Sequence, residues 1–514
     1  MHGAEAFIDT LARCGVEVCF ANPGTSEMQL VAAIDRQEGM RAVLGLFEGV
    51  VTGAADGYGR MAGKPAVTLL HLGPGLGNGL ANLHNARRAG SPIINMVGDH
   101  ATYHLHYDAP LTSDAVGVAR PMSDWVRVSR SERDLAQAGA EAFAVAQSYP
   151  GKIATVVVPA DHAWTEGSAT AEPQPASPAA QAPAAAIEAA ATALKGEGPK
   201  CLFLGGRALR EDTLRAAGRI AAATGARLVC ETFPARLQRG AGRVAIEKLP
   251  YFGEQAQAFL KDFATIVFVG AEPPVSFFAY PGKPSWLSPE GATLVRLASM
   301  REDAGHALAA LAEALDAPAD PASLQPAQLP QVPEGALTMA SIGAVVAELM
   351  PQDAIVSDEA TTCSAAIFAM TEGAKPHDWL SITGGAIGQG LPVAVGAAVA
   401  CPERRVLALQ ADGSGMYTNQ ALWTMAREKL DVVTVLLNNG SYAILNIELR
   451  RVGVQNPGPK ALSMLDLKHP EIDWTRIAEG MGVPAVRVET TQAFREALAE
   501  ALAAKGPRLI EAML

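Results

Sequence analysis

Two apolar patterns alternate along this chain. Short unbroken runs recur at Ala66–His71, Ile93–Val97, Lys200–Leu204, Ala226–Cys230, Thr265–Val269, Arg405–Ala411 and Val432–Asn438. They lack the in-and-out alternation of a strand with one wet face, so they predict strands covered on both sides. Between them, apolar residues recur three or four positions apart. In Ala4–Cys14 the residues Phe7, Ile8, Leu11 and Cys14 share one helix face, and Gly15 follows as a stop. Val16–Ala21 then runs apolar into the turn Asn22-Pro23-Gly24. Strands alternating with helices in this way predict parallel sheets with helices on both faces.

The periodicity lapses twice. Glu166–Ala186 is rich in Ala, Pro, Ser and Gln, and Ala317–Glu334 carries prolines at 318, 321, 326, 330 and 333. Both read as solvated linkers. They divide the 514 residues into blocks 1–165, 187–316 and 335–514, expected to be three α/β domains with doubly wound parallel sheets. No short internal repeat is visible.

Composition excludes several functions. A net charge of −12 leaves no basic face for nucleic acid. The longest apolar stretches, such as Leu391–Cys401, are about half the ~20 residues a membrane-spanning helix needs. The first residues carry acids where a secretory signal has Lys or Arg. The 6 cysteines contain no Cys-x-x-Cys, as in a reducing cytoplasm.

The candidate chemistry sits at two strand ends. Val406–Ala411 runs into Asp412-Gly413-Ser414-Gly415, and Val432–Leu437 into Asn438-Asn439-Gly440-Ser441-Tyr442. In open α/β sheets, ligands bind at such carboxyl ends. A carboxylate, an amide oxygen and a main-chain carbonyl can supply part of the octahedral oxygen shell of Mg²⁺, with phosphate oxygens and water completing it. A helix expected from Ser414 aims free N–H groups at the same place, and the glycines admit a close backbone approach. The pattern indicates a diphosphate–metal site.

This arrangement resembles the cofactor motif of thiamine-diphosphate enzymes, Gly-Asp-Gly followed at this interval by Asn-Asn. Ala411 stands here in place of the first glycine. The resemblance covers almost the whole chain and implies the thiamine-diphosphate-binding fold. It implies Mg²⁺ held by Asp412, the Asn439 side chain and the Ser441 carbonyl, with Gly413, Ser414 and Tyr442 beside the cofactor. Val43–Tyr58 looks like the segment carrying the family's activating glutamate, here Glu48. The flanking loops Asn22–Glu27 and Leu72–Asn78 put Pro23 and Asn78 among the cofactor contacts. A carboxylate bonded to the pyrimidine ring nitrogen helps the cofactor shed its reactive proton. Ile382–Pro392 is similar to the loop whose large apolar residue, here Ile387, bends the cofactor while the Gly385 carbonyl meets its amine. Thr361 and Thr362 complete the implied contacts.

Two branches of the family share these motifs. Thr68-Leu-Leu-His71 places a histidine before the glycine-rich loop, as benzoylformate decarboxylase does and acetolactate synthases do not. Trp423–Leu445 also looks most like the decarboxylase branch. The stretch corresponding to that enzyme's second active-site histidine, Phe277-Phe-Ala-Tyr280, contains none. Gly98–His106 is histidine-rich and loosely resembles the pyruvate decarboxylase active-site loop. His100 therefore joins Glu48 and His71 as a catalytic candidate, with His104 and His106 as alternatives. The resemblance implies a lyase that decarboxylates a small 2-oxo acid without oxidation. The alternatives are an acetolactate-synthase-like carboligase and a cofactor-binding protein without turnover, for which Glu48 would be superfluous. The middle block holds only Leu204-Gly-Gly206 and no complete Gly-x-Gly-x-x-Gly. Acetolactate synthases hold FAD there; here it is expected to be structural. The family also implies that Glu48 of one subunit meets Asp412 and Ile387 of another, so at least a homodimer, with a homotetramer as the expected assembly.

Overall fold

The computed structural model describes residues 1–514. Three sheets organise the chain. The first contains Val18–Asn22 (β1), Arg41–Leu44 (β2), Ala66–Leu70 (β3), Ile93–Asp99 (β4), Trp125–Val128 (β5) and Ile153–Pro159 (β6). Its strand order is β2-β1-β3-β4-β6-β5, all parallel. Lys200–Leu204 (β7) and Arg227–Cys230 (β8) follow, then Leu237–Arg239 (β9), Glu247–Lys248 (β10), Thr265–Val269 (β11) and Thr293–Ala298 (β12). All but β9 form a second parallel sheet, β10-β8-β7-β11-β12.

The third sheet contains Ala354–Glu359 (β13), His377–Ser381 (β14), Val406–Ala411 (β15), Val432–Asn438 (β16), Ala485–Val488 (β17) and Arg508–Met513 (β18). Its order is β17-β18-β16-β15-β13-β14-β9, with β9 antiparallel on β14. Of the unbroken apolar runs, β3, β11, β15 and β16 are buried along their whole length, and β6, not foreseen from sequence, is buried likewise. The fold is α/β and doubly wound.

The crossing of β9 into the third sheet was not foreseen from sequence. Leu237 is buried there, and the Arg239 guanidinium stacks 3.7 Å from the Phe368 ring centroid while donating to the Phe368 carbonyl and Thr371. The strand thereby covers an edge that would otherwise present unpaired backbone groups. The stretches read as linkers lack strands but are pinned to their neighbours. Arg13 donates to Thr170 and Glu172, the Gln325 amide donates to the Arg243 carbonyl, and a helix already begins at Ala184.

The helix expected from Ser414 is corrected. One turn, Asp412–Gly415, starts at the aspartate, and a separate helix resumes over Ala421–Arg427. Gly413 and Gly415 weaken helix continuation. Thr418, which donates its hydroxyl to the Gly388 carbonyl, ties down the break.

Two glycine-bearing helices join the first and third sheets. Glu48–Ala62 crosses Gly390–Ala400 so closely that a Cβ on Gly396 would lie 1.8 Å from the Ala54 carbonyl oxygen, and one on Gly57 would lie 2.2 Å from that of Val393. Their apolar side chains, including Val50, Ala54, Val393 and Ala397, share one core. At about 25 cal/mol per Å² of apolar surface buried, such a seam holds the two units in fixed relation.

Candidate active site

Each sheet has a point where the chain, having laid down one strand, continues on its other side. In the first sheet this lies between β1 and β3, and in the third between β13 and β15. The crevice outside the strand ends at such a point is where open α/β sheets bind ligands. The predicted residues gather around these two crevices.

Glu48 opens the helix Glu48–Ala62 and is buried. Its Oε2 accepts a 3.0 Å hydrogen bond from Asn78 Nδ2, so two predicted residues meet. His71 caps the helix Leu72–Ala89, and the next residue, Leu72, holds φ +52. A non-glycine residue in the left-handed region stores backbone strain, here directly beside His71. A Cβ on Gly75 would lie 3.0 Å from Glu48 Oε1 and 3.3 Å from the His71 Cβ. Carboxylate and imidazole therefore border the same spot.

The partner of His71 was missed from sequence. Its Nδ1 lies 2.7 Å from Oε2 of Glu27, which also accepts from the Gly24 amide at 2.7 Å and, through Oε1, from Ser26 Oγ at 3.0 Å. Glu27 is 0 % exposed. Only glycine fits opposite it, since a Cβ on Gly98 would lie 1.7 Å from Oε1. The available signal was an acid three residues past the Asn-Pro-Gly turn. Pro23, in that turn, lies half-buried between Asn22, which donates to the Gly45 carbonyl, and Gly24, packed on the His71 ring.

The histidine-rich loop divides. His100 follows β4, donates its amide to Asp99, and keeps a buried Nε2 without a partner. Burial raises Asp99, and the nearby Glu27 charge adds to the effect. His100 thus stands two residues past Gly98, the glycine that packs on Glu27. His104 stacks 5.4 Å from His100, while the exposed His106 stacks on Tyr107 at 3.8 Å.

In the third sheet Asp412 bridges both polar turns. Oδ1 accepts from the Gly413 amide at 2.9 Å and Oδ2 from the Gly440 amide at 2.8 Å. Burial pushes its carboxyl above the usual range, against those amide bonds, and no cationic side chain pairs with it. A buried carboxylate without a counter-charge fits a cation. No three His, Cys, Asp or Glu side chains gather to hold a metal. An ion here would take one carboxylate, and its remaining oxygens from neutral groups and a bound phosphate.

Asn439 Oδ1 accepts from the Ser441 amide at 2.9 Å, and Ser441 Oγ donates to the Leu465 carbonyl. The Ser414 hydroxyl turns inward to Gln410 and the Ala411 carbonyl, so only its backbone can meet a diphosphate. Tyr442 packs on Gly413, where a Cβ would lie 2.5 Å from its ring. Thr361 has φ +49, strained for a β-branched residue, at the end of β13. Beside Thr362, burial pushes the Cys363 thiol up to about 11, with the Asp358 and Asp412 charges adding.

The Gly384–Gly388 loop is held from two sides. Asn82 donates to the Gly49 and Gly388 carbonyls, Asn85 exchanges hydrogen bonds with Ala386, and His84 bonds the Gly384 carbonyl. Below it, buried Glu359 accepts from the Gly388 amide at 2.6 Å and the Gly390 amide at 2.7 Å. Burial raises the Glu359 carboxyl, opposed by these bonds and by Gln410. Sequence reasoning missed Glu359 too, although an acid ending an apolar strand was a signal. Gly385 has φ +75, and a Cβ there would lie 2.4 Å from Phe277, so that ring covers the loop. Ile387 is half-buried beside it.

Comparison with known proteins defines the class. Residues 1–118 match the N-terminal TPP binding domain of thiamine pyrophosphate enzymes, and residues 360–512 match their C-terminal TPP binding domain. The chain belongs to the thiamine pyrophosphate enzyme family and binds thiamine diphosphate as its cofactor. It is 54% identical to a putative acetolactate synthase large subunit, IlvX, of Mycobacterium tuberculosis, across 100% of this chain and 99% of that one. It is 31% identical to benzoylformate decarboxylase of Pseudomonas aeruginosa, across 98% of this chain and 97% of that one. A 4-hydroxybenzoylformate decarboxylase structure from Rhodococcus jostii superposes with TM-score 0.87 at 27% identity, covering 99% of this chain and 98% of that one. The protein is accordingly a thiamine-diphosphate-dependent enzyme that breaks or makes a carbon–carbon bond by decarboxylation or carboligation. No helix is long and apolar enough to cross a membrane.

Proposed function

We propose that this enzyme decarboxylates a 2-oxo acid without oxidation and releases the aldehyde. The observation that carries the reading is the 2.7 Å Glu27–His71 pair beside Glu48. When bound, thiamine diphosphate supplies an electron sink beside the substrate carbonyl. The protein's side chains do the rest. Asp412, the Asn439 amide oxygen and the Ser441 carbonyl would hold Mg²⁺, while Thr361, Thr362 and the Gly413–Ser414 backbone would meet the diphosphate. Glu48 would hold a proton at the pyrimidine nitrogen, with Asn78 fixing its carboxylate, and Ile387 would prop the cofactor. Glu27 occupies His71 Nδ1, which leaves Nε2 free to exchange a proton with the substrate. Aldehyde release needs a proton at the carbon that carried the carboxylate, and His71 would deliver it. His100, with its unpartnered Nε2, is the second acid–base candidate.

One observation favours carboligation as a second reading. Phe277 covers the loop where the decarboxylase branch has a further histidine, and an apolar wall there slows protonation. Incubating holoenzyme with a panel of 2-oxo acids, while measuring CO₂, aldehyde and ketol, tests the choice. Aldehyde as main product supports decarboxylation, and ketol as the sole organic product refutes it.

We also propose a cytoplasmic enzyme, all of whose cysteines are free, working as a homodimer at least and as a homotetramer. Exposed apolar side chains rim the site, with Tyr103, Leu105 and Tyr107 on one loop and Met416, Tyr417, Leu445 and Ile447 near the cofactor turns. A partner subunit would cover such faces.

A further inference from the structure

The helix Leu72–Ala89 carries asparagines at 78, 82 and 85, spaced four and three apart and so on one face. Asparagine is a poor helix former, because its amide competes for backbone hydrogen bonds. Burying it is costly unless its polar atoms find partners. Yet Asn82 is 2 % exposed and Asn85 0 %. Packing alone would favour apolar residues at both positions.

Their partners give the reason. Asn78 holds the Glu48 carboxylate. One turn on, Asn82 Nδ2 donates to two carbonyls, that of Gly49 at 2.7 Å and that of Gly388 at 3.1 Å. Gly49 directly follows Glu48, and Gly388 directly follows Ile387. Asn82 Oδ1 accepts from Asn85 Nδ2 at 3.1 Å. Asn85 in turn grips Ala386, on the other side of Ile387, donating to its carbonyl at 2.7 Å and accepting from its amide at 3.1 Å. The orientation of Asn82 is thereby fixed, since a flipped amide would set its oxygen against two carbonyl oxygens and its NH₂ against that of Asn85. Glycines clear the space. A Cβ on Gly53 would lie 2.9 Å from Asn82 Nδ2, and one on Gly384 would lie 2.5 Å from Asn85 Oδ1.

We propose that Asn82 is a positioning residue, whose amide fixes the spacing between the helix start that presents Glu48 and the loop that presents Ile387. Asn85 locks it in that orientation. The inference rests on the roles given above to Glu48 and Ile387, and Asn82 acts through them without touching a reactant. A fully satisfied buried network of this kind confers rigidity. The Gly388 carbonyl also accepts from Thr418, so cutting the tie at Asn82 does not leave that acceptor unpaired.

The test compares full-length Asn82→Leu, which keeps the side-chain volume and removes the amide, with Asn85→Ser and Glu48→Gln. Asn95→Leu is the stability control, because Asn95 is a buried asparagine of β4 whose side chain bonds Thr68 and Thr155 within the first sheet. Three quantities are read on each: backbone amide exchange without cofactor, calorimetric affinity for thiamine diphosphate with Mg²⁺, and loss of the reactive cofactor proton to D₂O at saturation. Asn82→Leu should raise backbone exchange in residues 48–53 and 384–390 together and weaken cofactor binding. It should slow loss of the cofactor proton about tenfold, the scale of one lost hydrogen bond. Asn85→Ser should do the same to a lesser degree, and it carries the test if Asn82→Leu does not fold. Asn95→Leu should lower the thermal midpoint and leave the proton rate alone. Wild-type proton loss in saturated Asn82→Leu or Asn85→Ser, with Glu48→Gln slowed, overturns the proposal and leaves the reading of Glu48 standing. Wild-type proton loss in Glu48→Gln refutes that reading, and the proposal with it.

Discussion

Replacing Glu27 by Gln tests how His71 is employed. The glutamine retains the volume and one oxygen of the buried carboxylate. That oxygen can still accept from the Gly24 amide and His71 Nδ1, while the new NH₂ faces Ser26 Oγ, a hydroxyl able to turn and accept. What is lost is the charge. A charge-assisted bond contributes about 1.5–3 kcal/mol and a neutral one about 0.5–1.5, so the change weakens the support of His71 by about 1–2 kcal/mol. If that support acts in the rate-limiting proton transfer, kcat falls about 5- to 30-fold at 1.4 kcal/mol per factor of ten. His71→Ala, which removes the acid itself, should cost about 10²–10⁴. Because Glu27 works through His71, adding Glu27→Gln to His71→Ala should cost nothing more. The assay is single-substrate turnover with CO₂ and aldehyde both measured, alongside calorimetric affinity for the cofactor, which neither change should move. Losses in the double variant that multiply in full would refute the coupling.

Asp412→Ala should abolish metal-dependent cofactor binding, and excess chelator should do the same to wild type; calorimetry showing undiminished affinity would remove Asp412 from the metal site. Burial raises Glu231 from 4.5 to about 7, so between those pH values the folded chain keeps a proton that the unfolded chain has released. Stability should therefore fall as pH rises through that window and level off above it, and Glu231→Gln should remove the slope, a difference of about 3 kcal/mol at pH 8 by urea denaturation. Parallel curves for the two proteins would contradict this. Mixing inactive Glu48→Gln and Asp412→Ala chains under subunit exchange should restore part of the activity if sites form between subunits, and a fully active monomer would exclude that arrangement.

The strands were legible because their signal is local. A run such as Val432–Leu437, apolar at every position but Thr434, is satisfied by burial on both faces. The polar turns after β15 and β16 were legible for the same reason, since Asp412 and Asn439 stand directly on strand ends. Glu27 and Glu359 were not. Each is a buried acid with a decisive partner far along the chain, His71 for one and the Gly388 and Gly390 amides for the other. Nothing in the residues around them announces those contacts. The crossing of β9 was hidden likewise, because a three-residue strand carries too short a pattern to declare which sheet it joins.

Glu27 and Glu359 nevertheless follow one physical rule. Each sits at a switch point, buried where an ionised carboxylate would be costly, and each offsets that cost by accepting from groups that must be held still. Glu27 holds His71 at Nδ1, and Glu359 holds the loop on which Ile387 stands. Neither needs to touch a reactant. A buried acid that accepts from amides, an imidazole and neighbouring polar side chains, as these two do, holds all of those groups in place.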